Sequence, residues 1–454
     1  MFKQLINQQR EFFQTGATKE LSFRLEALTK LAETIKSFES DIMNSLKADL
    51  NKSNFDAYST EIGVVLNDIR FIKKRLHKWV KPKRVKTPLT HFGTSSYIYA
   101  EPYGVSLIIA PWNFPFQLAL APVIGAIAAG NCAIVKPSEY TPKTSKIIAQ
   151  IFAEIFPESF ISVLQGGVDV SQSLLKEPFD YIFFTGSPQV GKIVMKAAAE
   201  HLTPVTLELG GKSPCIVHKD AHIKHAAKRI AWGKYLNAGQ TCIAPDYIYV
   251  HEAVKDVFIK TLKTYVKKLY SDHPLKNESY TRIIHKNHFN RLKEFLNDGE
   301  VVIGGKVDTD KLLIEPTVMT NITWENRIMK EEIFGPILPV LTYGNLPEVY
   351  DGIENSPNPL ALYLFTENKT VEKEILKTIP FGGGSINDTV YHFANPHLPF
   401  GGVGTSGIGA YHGKASFETF SHHKSVLKQT TRFDIPLRYP NVKNGLQKIK
   451  WFFK

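Results

Sequence analysis

Cysteine is scarce. Only Cys132, Cys215 and Cys242 occur in 454 residues, too few and odd in number for a disulfide scaffold, and the count fits a reducing cytoplasm. Long apolar runs are lacking too. The uncharged stretch 104–135 is interrupted by Pro111, Asn113, Pro115, Gln117, Pro122 and Asn131, which argues against a membrane-spanning helix. Residues 1–10 are polar and lack the apolar core of a secretory signal. The 15 histidines, including His422-His423 and the pair His285 and His288, have no acid or cysteine cluster at ligand spacing. No metal site is expected, and these histidines read as surface or capping residues. Acidic side chains fall short of basic ones, leaving a net charge of +12, of which +7 lies in residues 424–454. A basic tail can face nucleic acid, an anionic membrane or only water. No nucleic-acid motif accompanies it, so no nucleic-acid partner is expected.

Hydrophobic residues make up 43% and charged residues 22%, ordinary for a globular chain long enough to form two or three domains. Leu21, Leu25, Leu28, Leu31, Ile35, Ile42 and Leu46 recur at helical spacing. A second amphipathic stretch, 58–79, ends in the basic, proline-marked segment 80–88. Beyond about residue 97, β-rich runs at 105–109, 133–136, 181–184 and 205–209 alternate with helix-like stretches at 144–156 and 190–201. That alternation predicts an α/β fold with a doubly wound sheet. A second alternating region spans 213–389, with strands at 247–250 and 337–341; the chain then turns glycine-rich and is β-like at 425–430. In the tail, Val442, Leu446, Ile449 and Phe453 recur at helical spacing among Lys443, Lys448, Lys450 and Lys454. Such a helix docks on its own protein or lies on an anionic surface.

Three segments carry chemistry. Asn237-Ala-Gly-Gln-Thr-Cys242 puts a thiol in a glycine-containing, uncharged loop. Val205-Thr-Leu-Glu208-Leu-Gly-Gly-Lys212 puts a carboxylate at the end of a strand-like run, and Pro111-Trp-Asn113-Phe-Pro115 supplies a side-chain amide. A thiol and a carboxylate, each beside glycines that bare the backbone, are the parts of a covalent catalyst. Each residue also has a plainer reading: a buried cysteine, a strand-end carboxylate, a turn-starting asparagine. Cys132 and Cys215 lie in apolar runs and read as core. Gly186-Ser187-Pro-Gln-Val-Gly191 follows a strand and opens a helix, so it can present N–H groups to a pyrophosphate, although it is not G-x-G-x-x-G. Lys136 and Glu139 follow a strand and read as a solvated loop.

Seven strings in order resemble the aldehyde dehydrogenase superfamily. They are Ile109-Ala-Pro-Trp-Asn-Phe-Pro115, Val135-Lys-Pro-Ser-Glu139, Phe184-Thr-Gly-Ser-Pro-Gln-Val-Gly191, Leu207-Glu-Leu-Gly-Gly-Lys-Ser213, Gly239-Gln-Thr-Cys242, Glu331-Glu-Ile-Phe-Gly-Pro336 and Leu398-Pro-Phe-Gly-Gly-Val-Gly404. The short N-terminus, together with 208–215 and 401–413, resembles the class 3 branch, the fatty and aromatic aldehyde dehydrogenases.

The resemblance implies a Rossmann-type cofactor domain (1–79 and 98–207), an α/β catalytic domain (208–391), a bridging β-arm (80–97 and 392–430) and a basic tail (431–454). It implies NAD(P)-dependent oxidation of a medium- or long-chain aliphatic or aromatic aldehyde to the acid in a cytoplasmic homodimer. The tail leaves room for a peripheral membrane contact. Cys242 would be the nucleophile, Glu208 the general base and Asn113 the oxyanion donor. Gly186, Ser187, Gly191 and Leu209 would hold the cofactor, with Lys136 and Glu139 on the adenosine ribose and Glu332 and Phe334 on the nicotinamide ribose. Glu139 favours NAD, and Lys136 leaves room for NADP. Phe114, Trp232, Thr241 and Phe400 would line the substrate tunnel. Two alternatives stay open, a coenzyme-A-acylating enzyme and a non-catalytic descendant of the fold. Glu208 weighs against the first, and Cys242 with Glu208 against the second.

Overall fold

The computed structural model describes residues 2–452. Two sheets organise the chain. The first runs, in spatial order, Gly407–Ile408, Val205–Glu208, Tyr181–Thr185, Val105–Ile109, Cys132–Lys136 and Ile161–Val163. Its strands are parallel apart from the short first one. All residues of Val105–Ile109 and Cys132–Lys136 are buried, as expected of parallel strands covered on both faces. Helix Gln117–Ala129 is apolar all round and buries every one of its residues, so it is a core helix. Among the described residues no helix is long and apolar enough to cross a membrane.

The second sheet has the order Glu300–Ile303, Thr317–Thr320, Ile337–Tyr343, Tyr247–His251, Pro214–Val217, Ala361–Phe365 and Gly383–Ile386. It is parallel apart from its first strand. The expected strands and helices are present, with limits shifted by a few residues. Residues 21–50 form two helices, Leu21–Ser37 and Glu39–Leu50.

A third, three-stranded antiparallel sheet joins Lys83–Val85, Thr94–Pro102 and Ser421–Gln429. It differs from the expected arm at both limits. The strand Thr94–Pro102 crosses the expected boundary at 97/98 because it pairs along its whole length with Ser421–Gln429. Much of 392–420 folds back on the first sheet: Gly407–Ile408 pairs with Val205–Glu208, and Phe400, Tyr411, Phe417 and Phe420 are buried. Burying four aromatic side chains outweighs extending an exposed arm.

The tail forms the helix Gly445–Phe452. Leu446 is 68% and Trp451 78% exposed. Phe453 and Lys454 lie outside the described residues.

Candidate active site

In the first sheet the chain order reverses at Val105–Ile109, flanked by Cys132–Lys136 on one side and Tyr181–Thr185 on the other. The carboxyl ends of such strands are where open α/β sheets bind ligands. Ile109 leads directly into Trp112 and Asn113, and Thr185 into Gly186 and Ser187. A cavity of about 1440 Å³ opens there, larger than the roughly 300–1,000 Å³ of most small-molecule pockets.

Asn113, Glu208 and Cys242 all line this cavity. So do Gly186, Ser187, Gly191, Leu209, Glu332, Phe334 and Phe400. Lys136 and Glu139 do not; they pair with each other at 2.7 Å, the lysine buried. Phe114, Trp232 and Thr241, expected at the substrate tunnel, do not line this cavity either. The Phe114 ring faces the Lys52 ammonium at 4.1 Å, because a buried cation seeks the negative face of an aromatic ring. Trp232 packs on Tyr391 at 6.0 Å, and Thr241 is buried with its hydroxyl unpartnered.

The Cys242 loop is unusual in its backbone. Asn237, Ala238 and Gly239 have φ of 54°, 52° and 71°, three successive left-handed residues. Such backbone costs of order 1–3 kcal/mol at each non-glycine position unless the surroundings impose it. Gln240 imposes it, donating to the carbonyls of Asn237 (3.1 Å) and Arg282 (3.0 Å) and accepting from the Ile284 N–H (3.0 Å). A side chain at Gly239 would come within 2.2 Å of the Gly335 carbonyl, so this close contact with the loop 331–335 requires glycine. Asn237 Nδ2 donates to the Asn113 carbonyl at 2.9 Å, and Asn113 Nδ2 donates to the Gln240 carbonyl at 3.2 Å.

Burial dominates the electrostatics of Glu208, Cys242 and Glu332. Glu208 is buried with both carboxylate oxygens unpartnered, and burial raises it well above the ordinary carboxylate range. Burial raises Glu332 to about 8, helped by the charge of Asp246. Cys242 is partly buried. Burial first, then Glu332 and Glu208, push its thiol upward, opposed by the backbone N–H groups of Cys242 and Ile243.

The cavity fits a dinucleotide. Helix Pro188–Ala199 starts at its rim, capped by the Ser187 hydroxyl and opening on proline, and a helix N-terminus favours phosphate. Lys192 and Arg291 also line the cavity as cations. Gly191 lets this helix close on Leu209, whose methyl would lie 2.6 Å from an added Cβ.

Several residues here escape sequence reasoning. Arg291 donates to the carbonyls of Glu332 (3.1 Å) and Ile333 (2.6 Å), and His288 Nε2 to that of Phe334 (2.8 Å). Burial, then the charge of Arg291, lowers His288 to about 3, so it is neutral and its Nδ1 is free to accept from Arg291. His288 therefore clamps a loop, and its reading as a surface residue is corrected; His285 does cap its helix, accepting from the His288 N–H. Lys212 pairs with Asp246 at 2.7 Å and donates to the Ile328 and Glu331 carbonyls. The i, i+3 spacing of His288 and Arg291 was the only signal for this clamp.

The family model described as "Aldehyde dehydrogenase family" matches residues 2–426. The chain is 50% identical to "4,4'-diaponeurosporen-aldehyde dehydrogenase" of Staphylococcus aureus, with 100% of this chain and 99% of the relative covered. It is 42% identical to "Aldehyde dehydrogenase family 3 member A2" of Rattus norvegicus, covering 98% and 92%. The solved "Substrate bound state of Staphylococcus Aureus AldH" superposes with a TM-score of 0.98 over 100% of both chains at 50% identity. An NAD-dependent aldehyde dehydrogenase from Sinorhizobium meliloti superposes at 0.87 over 96% of this chain and 88% of that one, at 28% identity.

Proposed function

The chain belongs to the aldehyde dehydrogenase family, and from that premise we propose that Cys242, Glu208 and Asn113 carry out its NAD(P)-dependent oxidation of an aldehyde to the carboxylic acid. The carrying observation is that a thiol, a buried carboxylate without partners and a side-chain amide open on one cavity.

Cys242 first releases its proton to solvent, its thiolate attacks the carbonyl carbon, and the new oxyanion accepts from Asn113 Nδ2 and the Cys242 N–H. Asn113 has a second amide hydrogen beyond the one it gives Gln240. One such donor contributes about 3–4 kcal/mol of barrier lowering. When bound, the nicotinamide supplies a hydride acceptor. Glu208 then takes a proton from water, which attacks the Cys242 thioester and releases the acid. A base raised toward neutrality suits that step. Its presence favours hydrolysis over transfer to coenzyme A.

Gly186, Ser187, Gly191 and Leu209 would hold the cofactor, with Glu332 and Phe334 near its nicotinamide ribose and Lys136 and Glu139 near its adenosine ribose. Glu139 supports NAD as the preferred form. A medium- or long-chain apolar aldehyde is supported by Leu118, Phe393, Phe400 and Tyr411 on the cavity wall and by the substrate named for the relative that is 50% identical.

The first sheet would form the cofactor domain and the second the catalytic domain. The three-stranded arm, with Tyr99, Val426 and Leu427 exposed, supports a homodimer in which a partner covers it, and the scarcity of cysteine supports a cytoplasmic setting. The exposed basic tail helix supports a peripheral contact with an anionic membrane.

Cys242→Ser tests the central assignment. The variant should bind NAD and keep its fold but lose aldehyde oxidation, since an alkoxide forms far less readily than a thiolate. Appreciable turnover would remove Cys242 from the nucleophile's role.

A further inference from the structure

Lys52 follows helix Glu39–Leu50, and Glu61 lies in the π-helical turn Tyr58–Ile62. They form an ion pair with side chains only 1% and 0% exposed. Among the described residues, the other side-chain hydrogen bonds and the ring contact of this pair fall on one short segment. Lys52 Nζ donates to the Asn113 carbonyl at 3.2 Å and sits over the Phe114 ring. The other carboxylate oxygen of Glu61 accepts from the N–H groups of Phe116 (2.9 Å) and Gln117 (3.0 Å). Helix Gln117–Ala129 has no side-chain cap of its own. Glu61 therefore supplies one, placing a negative charge on its N-terminus.

The segment 113–117 is thus held at its start by the cation and at its end by the carboxylate, and the two holders are locked to each other. Stability alone does not account for this arrangement, because buried ion pairs are often replaceable by apolar residues at no loss. What the pair does fix is Asn113. The carbonyl is shared between Lys52 and Asn237, so the backbone carrying the amide cannot rotate away from the Cys242 loop.

We propose that Lys52 and Glu61 are positioning residues for Asn113, holding its side-chain amide where the oxyanion forms on the Cys242 adduct; the proposal rests on the role given to Asn113 above. Neither residue touches the reacting atoms. Their effect passes through 113–117 alone, so it should fall on kcat and leave the KM for NAD in place.

A double-mutant cycle between Lys52→Met and Asn113→Ala tests this, with kcat, the first-turnover rate of NADH formation and the KM for NAD measured on folded enzyme. Asn113→Ala should lower kcat by about 10²–10³. Lys52→Met should lower it by up to about 10², the effect of a misplacement near 1 Å, and should add nothing in the Asn113→Ala background. Should Lys52→Met fail to fold, Lys52→Met combined with Glu61→Gln leaves no lone buried charge and should show the same loss of kcat. Losses that multiply in the cycle, or full kcat in the folded charge-free variant, would overturn the positioning role while leaving Asn113 as the donor. Wild-type kcat in Asn113→Ala would instead sink the Asn113 assignment and this proposal together.

Discussion

Glu208 pairs with Gly407 across an antiparallel bridge, and its carbonyl accepts from the Gly186 N–H at 3.0 Å. Its main chain is thus fixed on two sides while its carboxylate hangs without partners in the cavity. Glu208→Gln keeps that backbone and removes only the base. We expect rapid formation of about one NADH per active site, then slow turnover as the acyl-enzyme accumulates. Stopped-flow absorbance checks this. A slow first turnover with no burst would move Glu208 to thiol deprotonation, and unchanged steady-state turnover would exclude both roles.

The buried acids also set a pH dependence of stability. Glu332 is raised from an ordinary 4.5 to about 8. Between those values the folded chain keeps a proton that the unfolded chain releases, so stability falls as pH rises through that window. Glu332→Gln removes this contribution, and its Tm should decline less than the wild-type Tm between about pH 5 and pH 8. Parallel Tm profiles from thermal melts would contradict the assigned shift.

Cofactor choice can be read from Glu139. On the role proposed for Glu139, removing its carboxylate takes away a ribose ligand and a charge that repels a 2′-phosphate, and it frees Lys136 from the 2.7 Å pair. The ratio of kcat/KM for NADP to that for NAD should rise in Glu139→Ala by roughly tenfold, the effect of about 1.4 kcal/mol. A ratio that does not move places Glu139 away from the ribose.

The tail offers a fourth test. Eight helical residues are fewer than the roughly 12–15 needed for a helix to persist alone in water, so a supporting surface should stabilise it. Each basic residue near an anionic bilayer contributes about 1 kcal/mol. The full chain should sediment with phosphatidylglycerol vesicles at low salt and be released at high salt, whereas a chain ending at Tyr439 should stay in solution. Equal behaviour of the two chains rules the contact out.

Glycine-containing segments and the ordered resemblance of seven strings pointed to Cys242, Glu208 and Asn113 in the sequence, and the structure brings the three to one cavity. The doubly wound sheet was legible because its buried strands read as short apolar runs. Lys52 and Glu61 were not. Their partners lie 55–61 residues away at the N–H and C=O groups of another segment, and main-chain acceptors carry no signature in sequence. The surroundings of Phe114 and Trp232 were equally hidden in the sequence. Resemblance placed both rings at the substrate tunnel, and only the structure shows that one faces the buried Lys52 ammonium and the other packs on Tyr391.

The hydrogen bonds that place Cys242 join Asn113 to Gln240 and Asn237 across more than a hundred residues, and Arg282 returns to Ala48 and Asp49 across more than two hundred. Contacts of such sequence separation close late in folding. A polypeptide still leaving the ribosome therefore carries Cys242 without the frame that aims it. The arrangement of Asn113 around Cys242 exists only once segments more than a hundred residues apart have met.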